Sequence, residues 1–211
     1  WTAPKGSQVT LSILIRPTAE SIERLGTMPL VSGLAIIDAL TATAARHPDA
    51  TDKLTPQLKW PNDVLIDGRK LCGILAEAVS LGPEPAVVIG LGLNVSITTE
   101  ELPVPHATSL DLEAPGIEID RAQLTADVLL ALHHRINQWV DADPQLMADY
   151  RAVCSSIGAD VKVLLPGDEE LLGTVRDVAD DGRLVVVDKQ GMPVEMGGVG
   201  ELVIGGVGLA S

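Results

Sequence analysis

QLKWPNDVLIDGRKLCGILAEAV, residues 57–79, decides the fold, because it contains three short apolar runs separated by turns. Pro61-Asn62-Asp63 separates the first run from the second, and Asp67-Gly68 is a two-residue hairpin turn. A fourth apolar run follows over residues 86–95. Connections this short favour antiparallel pairing, because a parallel pair needs a much longer crossover. The sequence therefore predicts an antiparallel meander of strands over residues 57–60, 64–66, 70–79 and 86–95.

The segments on either side of this meander complete a mixed α+β domain. Residues 8–15 alternate apolar and polar positions, as a half-buried strand does. Apolar residues at helical spacing predict helices over residues 29–46 and 121–140, and Asp143 and Pro144 mark the start of another helix that runs to about residue 154. Residues 98–119 are rich in proline and are expected to form a long surface loop. We predict a mostly antiparallel sheet flanked by helices.

The pattern of apolar residues and turns changes after Gly158. Short strands are predicted over residues 161–165, 171–175, 184–187 and 192–196, with turns at Pro-Gly, Asp-Gly and Gln-Gly pairs. This pattern is typical of a small β-barrel. We therefore expect two domains, residues 1–157 and residues 158–211.

Composition restricts the classes of function. The net charge of −14 argues against a nucleic-acid-binding surface and disfavours attraction to an anionic membrane. We expect no membrane span, because no apolar run approaches roughly 18 residues. Two cysteines do not form a disulfide framework in a chain of this length, so a reducing cytoplasm is the expected location. The four histidines lack ligand spacing, and we predict no protein metal site. The chain begins at Trp1 and not at Met, so it is expected to lack its true N-terminus.

Lys70 is the first candidate for chemistry. Strict alternation places it on one face of its strand with Cys72, Ile74 and Ala76, and places Gly73 on the other face. A lysine that opens an apolar strand can reach over a cavity floor, and a glycine leaves room for a ligand to lie against backbone. From the pattern alone, a lysine at a hairpin mouth pointing into water is the more common situation.

The GLGLN stretch, residues 90–94, is the second candidate. Gly90 and Gly92 destabilise a strand by roughly 0.5–1 kcal/mol each, and a close approach of a ligand to the backbone would explain them. Asn94 could then hydrogen-bond to that ligand. A bulge with a structural asparagine explains the same residues equally well. A dinucleotide-binding motif is excluded, because the third glycine and the following helix are missing.

Taken together, these motifs resemble a known family. In their order and spacing, three motifs look like the catalytic domain of biotin–protein ligases: KWPND (residues 59–63), RKLCGIL (residues 69–75) and GLGLNV (residues 90–95). The likeness extends over nearly the whole chain through ATSL (residues 107–110), Tyr150-Arg151 and the closing strands, which are similar to the family's SH3-like C-terminal barrel. The resemblance implies a fold like that of class II aminoacyl-tRNA synthetases. It also implies that ATP activates biotin to biotinyl-5′-adenylate, with Mg²⁺ on the phosphates, before transfer to a lysine of a biotin carboxyl carrier domain.

The same resemblance suggests roles for single residues. Lys70 corresponds to the family's essential lysine, placed between the biotin carboxylate and the phosphate. The other expected binding residues are Asn62, Asp63 and Asn94 near the adenylate, Trp1 over the adenine, and Gly73, Leu75, Gly90 and Gly92 along the biotin pocket. Asp63 is the nearest carboxylate to a phosphate-bound Mg²⁺.

One departure and three alternatives remain at this point. The family's GRGRxGR loop and an upstream segment that helps to hold biotin would precede Trp1 and are absent from this chain. A lipoate–protein ligase, a biotin-responsive repressor and an inactive binding module are the competing interpretations. The partners expected are a carrier domain and, as an open possibility, a second copy of the chain in a homodimer, with no membrane and no nucleic acid bound by this stretch.

Overall fold

The computed structural model describes residues 3–18, 20–47, 49, 52–81, 84–165, 169–188, 191–192 and 201–204. The strands in these ranges are β1 (Gln8–Ile15), β2 (Pro56–Lys59), β3 (Asp63–Ile66), β4 (Arg69–Ser80), β5 (Ala86–Asn94), β6 (Asp160–Leu165), β7 (Glu169–Val178), β8 (Leu184–Val187) and β9 (Glu201–Ile204). The α-helices are α1 (Met28–Arg46), α2 (Leu110–Glu113), α3 (Arg121–Val140) and α4 (Gln145–Val153). Short 3-10 helices span Ser21–Thr27 and Thr99–Glu101.

A five-stranded antiparallel sheet carries the predicted meander. Its strand order is β1-β5-β4-β3-β2, so each consecutive pair of the meander lies side by side and β1 adds to the free edge of β5. One face of this sheet is apolar across all five strands and forms the core; it includes Val9, Leu58, Val64, Cys72, Ile74, Ile89, Leu91 and Leu93. The predicted α+β fold class is confirmed.

The helices cover the apolar face of this sheet. α1 contacts β2, β3 and β4, and α3 packs along α1. Gly33 of α1 lies so close to Leu58 that an added Cβ would stand 2.9 Å from a leucine methyl carbon, so a larger residue here would require the Leu58 side chain to move. Asp120 caps α3, since its carboxylate accepts from the backbone N–H groups of Ala122 and Gln123.

The apolar stretch Ser21–Arg46 corrects one expectation from the sequence. Within the described part of the chain, this helical stretch has the length and the apolar composition that a membrane span requires. However, 67% of its most apolar window is buried inside the protein, against the sheet and the other helices. The same apolar surface is what a core helix needs, and we therefore interpret α1 as the central core helix.

Residues 98–119 also differ from the predicted surface loop. The segment contains α2, and Ala107, Thr108, Ser109 and Leu110 are buried. Proline content alone indicated a solvated connection, but this segment packs against the sheet beside β4 and β5.

A second antiparallel sheet follows Gly158, with the strand order β8-β7-β6-β9. The predicted strands over 161–165, 171–175 and 184–187 correspond to β6, β7 and β8. The fourth predicted strand, over residues 192–196, lies largely outside the described residues, and β9 was not predicted. Closure of this sheet into a barrel and the domain boundary at residues 157–158 stay predictions.

Candidate active site

Lys70 lies on the opposite face of β4 from the one predicted. Val64 of β3 pairs with Cys72 and Leu65 pairs with Lys70, so that Leu71 has no partner on β3. This one-residue bulge reverses the phase of alternation. Cys72, Ile74 and Ala76 share the core face as expected, but Lys70 joins Asp63 and Gly73 on the other, open face.

An ion pair between Lys70 and Asp63 is the electrostatic centre of this face. Lys70 Nζ lies 2.5 Å from Asp63 Oδ1, and the two side chains are 35% and 19% exposed. The contact is a pairing of charges and not a directed hydrogen bond, because Asp63 Oδ1 has no hydrogen-bond partner of acceptable geometry. A cation therefore stands at the beginning of β4, the central strand of the sheet, with its side chain partly exposed to solvent.

Two glycines pair with each other across the sheet beside this ion pair. Gly73 of β4 is opposite Gly92 of β5, Asp63 of β3 flanks them on one side, and Thr10 of β1 flanks them on the other. In the next row of the same face Gly90 is opposite Leu75, which is 47% exposed. Glycines at three of these positions, the glycine floor (Gly73, Gly90 and Gly92), leave no side chain on this face; Gly73 and Gly92 are buried and Gly90 is half-buried. Glycine inside a strand often marks a place where a ligand or another backbone approaches closely.

The two amide side chains expected at the site are used to hold its framework. Asn62 Nδ2 donates to the carbonyl of Ile74 at 2.8 Å, and the Ile74 N–H donates back to the carbonyl of Asn62 at 3.0 Å. Asn94 is buried; its Nδ2 donates to the carbonyl of Thr108 at 2.8 Å, and its Oδ1 accepts from Gln8 Nε2 at 2.6 Å. Both asparagines thus stabilise the strand ends that surround Lys70.

Three residues that the sequence did not single out for chemistry surround the backbone of Lys70. The Lys70 N–H donates to the carbonyl of His106 at 2.7 Å, and the Thr108 N–H donates to the carbonyl of Lys70 at 2.8 Å. The Thr108 hydroxyl donates to Glu113, whose other oxygen pairs with Arg69 at 2.9 Å. No local pattern could have indicated the contacts of Lys70 with His106 and Thr108 or of Arg69 with Glu113, because they join residues 36–44 positions apart in the chain.

Trp60 links the KWPND turn to the C-terminal sheet. Its indole Nε1 donates to the carbonyl of Gly182 at 2.8 Å, and its backbone N–H donates to the hydroxyl of Ser156 at 3.0 Å. Trp1, the remaining predicted site residue, lies outside the described residues.

Cys72 lies beneath the site on the core face. Burial raises the pKa of its thiol to about 12, so the thiol is neutral near pH 7. Among the residues described, no group of three or more His, Cys, Asp or Glu side chains could hold a metal ion. The described side chains place one cation, Lys70, beside the glycine floor.

Comparison with known proteins agrees with this arrangement. The model of the biotin/lipoate A/B protein ligase family matches residues 1–94, which include KWPND, Lys70 and the glycine floor, and the biotin protein ligase C-terminal domain matches residues 156–201. A biotin–[acetyl-CoA-carboxylase] ligase of Mycobacterium tuberculosis is 42% identical over 184 residues, which make up 87% of this chain. The chain belongs to the biotin protein ligase family.

Other members of the biotin protein ligase family are more distant. The bifunctional ligase/repressor BirA of Escherichia coli is 28% identical over 88% of this chain. The chain spans 65% of the length of the Mycobacterium tuberculosis protein and 56% of that of BirA. A biotin protein ligase of Aquifex aeolicus, solved in complex with biotin and ATP, superposes with a TM-score of 0.73 at 23% identity, covering 94% of this chain and 79% of that one. That likeness concerns the fold.

Proposed function

We propose that the chain is the catalytic and C-terminal part of a biotin–protein ligase, which activates biotin with ATP and transfers it to a carrier protein. The single observation that carries the proposal is the ammonium group of Lys70 standing at the end of the glycine floor on the open face of the sheet. The 42% identity to a named biotin–[acetyl-CoA-carboxylase] ligase supports biotin as the substrate.

In the first step, a carboxylate oxygen of biotin attacks the α-phosphorus of ATP. The bond from that phosphorus to the bridging oxygen of the β-phosphate breaks, and biotinyl-5′-adenylate and pyrophosphate form. Both reactants are anions, so their approach needs a fixed positive charge. Lys70 supplies that charge, and Asp63 holds the ammonium group in place until the substrates arrive. Positioning and charge stabilisation suffice, without a protein nucleophile.

The floor and the amides define where the two substrates lie in this proposal. Gly73, Gly90 and Gly92 admit the biotin ring system against bare backbone, and Leu75 offers exposed apolar surface beside it. Asn62, Asp63 and Asn94 border the adenylate, and Trp1 covers the adenine. The framework hydrogen bonds of Asn62 and Asn94 mean that both act mainly by holding the strand ends in place.

Mg²⁺ is the remaining component that the family implies. The described residues form no cluster that could hold it, and the nearest carboxylate, Asp63, is already paired with Lys70. The described side chains therefore do not fit a metal ion held by the protein. Adenylate formation and transfer to the carrier lysine, as proposed here, use no such metal ion.

In the second step, the amine of a carrier lysine attacks the acyl carbonyl of the adenylate and AMP leaves. The partner in this proposal is the biotin carboxyl carrier domain of a biotin-dependent carboxylase, and the location is the cytoplasm, where such a carrier and ATP occur together. The homodimer stays part of this proposal as an open possibility.

Biotin-dependent exchange of radiolabelled pyrophosphate into ATP tests the proposal. We expect exchange with biotin and none with lipoate, since the C-terminal domain match is to biotin protein ligases. Exchange with lipoate alone would replace the proposed substrate, and exchange with neither acid would contradict the proposed activity of this chain.

A further inference from the structure

Lys70 lies where β4 has lost its regular neighbour on one side, since Lys70 still pairs with Leu65 of β3 but has no partner on β5. The bulge at Leu71 interrupts its pairing with β3, and β5 pairs with β4 only from Cys72 onward. Residues 106–108 take the place of β5 beside Lys70. The Lys70 N–H donates to the carbonyl of His106, and the Thr108 N–H donates to the carbonyl of Lys70. The backbone of the lysine is therefore held by a segment that is not itself a strand.

Thr108 anchors that segment through three different groups. Its backbone N–H reaches Lys70, its carbonyl accepts from the buried Asn94 amide, and its hydroxyl donates to Glu113. The residue is fully buried, so water cannot replace any of these partners. We call residues 106–108, which hold the Lys70 backbone, the clamp. Thr108 connects the clamp to the rest of the sheet.

Glu113, the last residue of α2, contacts both Thr108 and Arg69. Its carboxylate is only 7% exposed, and a carboxylate so deeply placed is costly unless it is partnered. Its two oxygens contact the Thr108 hydroxyl and the Arg69 guanidinium, and Arg69 directly precedes Lys70. One buried carboxylate thus connects the clamp to the strand that carries the lysine.

We propose that Thr108 and Glu113 are positioning residues that hold the Lys70 ammonium at the point where charge builds up during adenylate formation. This inference rests on the proposed function. Neither side chain has to touch substrate, because both act through the backbone of Lys70 and through Arg69. A loosened clamp misplaces the charge and slows the chemical step, while binding of biotin and ATP persists.

The test compares Thr108→Val, which removes the hydroxyl at constant volume, with Thr108→Ser, which keeps it. In biotin-dependent pyrophosphate exchange, Thr108→Val is expected to lower kcat about 10- to 100-fold, the size of effect that a misplacement of about 1 Å produces. KM for biotin and for ATP should stay within about twofold of the wild type. Thr108→Ser should restore kcat.

Thr43→Val is the matched control, because Thr43 is also buried and its hydroxyl donates to the carbonyl of Ala39 within α1. It should leave kcat of the folded fraction unchanged. Glu113→Ala should match Thr108→Val, and the double variant should fall within about twofold of the lower single variant, because the two residues act as one unit. Independent, multiplying losses would overturn the shared role.

Amide hydrogen exchange separates this inference from the proposed function. Thr108→Val should increase exchange at the Lys70 and Thr108 amides, whereas Thr108→Ser should not. If the wild type lacks pyrophosphate exchange, the proposed function fails, and amide exchange alone then decides whether the clamp exists. Unchanged amide protection in Thr108→Val, or an unchanged kcat in an active enzyme, would overturn the positioning role.

Discussion

Leu71 has no partner on β3, and this single unpaired residue brings Lys70 to the face where Asp63 and the glycine floor lie. Without the bulge the lysine would point into the apolar core beside Cys72, where an unpaired charge would cost several kcal/mol. At the scale of one residue, the bulge at Leu71 therefore keeps the Lys70 ammonium group out of the apolar core and leaves its side chain partly exposed.

Lys70→Ala is expected to lower biotin-dependent pyrophosphate exchange by about 10³-fold or more, equivalent to about 4 kcal/mol of barrier. The physical reason is the loss of the fixed charge between two reacting anions. Lys53→Ala, at an exposed position, is the matched control and should retain wild-type exchange. A residual rate within about tenfold of wild type, or about 1.4 kcal/mol, would be too large for the proposed role.

At the scale of elements, the glycine floor depends on the register of β4 with β5, which places Gly73 directly opposite Gly92. The opposite face of the same two strands, with Ile74 and Leu91, is buried in the core. One pair of strands thus supplies packing on one side and, in the proposed function, the surface for biotin on the other.

Gly73→Val and Gly92→Val should each weaken biotin binding at least about tenfold, because the added side chain would fill the space over the floor. Isothermal titration of the folded variants measures the affinity, and thermal unfolding measures stability. Gly26→Val, at an exposed glycine where an added Cβ would meet only the carbonyl oxygen of Asp181, at 3.9 Å, should leave the affinity unchanged. Lower stability with unchanged affinity in the folded fraction would mean that the two floor glycines serve packing only.

Arg135 joins three helices. Its guanidinium contacts Asp38 of α1 at 2.7 Å and Asp149 of α4 at 2.5 Å, and its side chain is 11% exposed. A hydrogen bond from Gln145 and another from Arg135 lower the pKa of Asp149. A carboxyl group with a lowered pKa stabilises the fold above its unfolded pKa, and that contribution is lost as pH falls through the folded value.

Arg135→Ala is therefore expected to lower the free energy of unfolding by about 1–3 kcal/mol at pH 7, between the effects found for exposed and buried pairs. The difference from wild type should shrink below about pH 4, as Asp149 becomes protonated. Arg183→Ala is the control, since Arg183 pairs with Asp181 but is 83% exposed, and its effect should be close to zero. Equal losses for both variants in urea unfolding would contradict the argument.

At the scale of the whole molecule, the Asp181-Gly182 turn of the C-terminal sheet packs against both the KWPND turn and the start of α1. Gly182 has a φ of +85°, and a Cβ added there would lie 3.1 Å from side-chain atoms of Thr27 and Leu30. Its carbonyl accepts the indole N–H of Trp60. The second sheet therefore supports the segment that carries Asn62 and Asp63.

Trp60→Phe keeps the aromatic ring but removes this hydrogen bond, and it should lower the free energy of unfolding by about 1 kcal/mol. We also expect pyrophosphate exchange by the folded enzyme to fall several-fold, about 3- to 10-fold, through displacement of the KWPND turn. Trp139→Phe is the matched control, because Trp139 Nε1 also donates hydrogen bonds, but to Thr27 and Arg24 and not to a residue that contacts Trp60 directly. A similar loss of exchange in both variants would mean that stability alone is responsible.

The sequence by itself determined the strands of the meander, the long helices and the residues that carry the family motifs. Alternation, hairpin turns and caps act over a few residues, so they can be recognised locally, and β1 has the predicted bounds. The helical stripe of α3 is confirmed in Leu124, Val128 and Leu132, which are buried.

Only the tertiary structure decided the face on which Lys70 lies, the burial of the ATSL segment and the link from Trp60 to Gly182. The bulge at Leu71 arises because β3 and β4 pair around it, and a one-residue change of register leaves no mark in the alternation of either strand. The contacts of Thr108 with Lys70, of Glu113 with Arg69 and of Trp60 with Gly182 join positions 38–122 residues apart in the chain. Such contacts depend on which surfaces the packed core brings together, and that is a property of the whole fold and not of any local pattern.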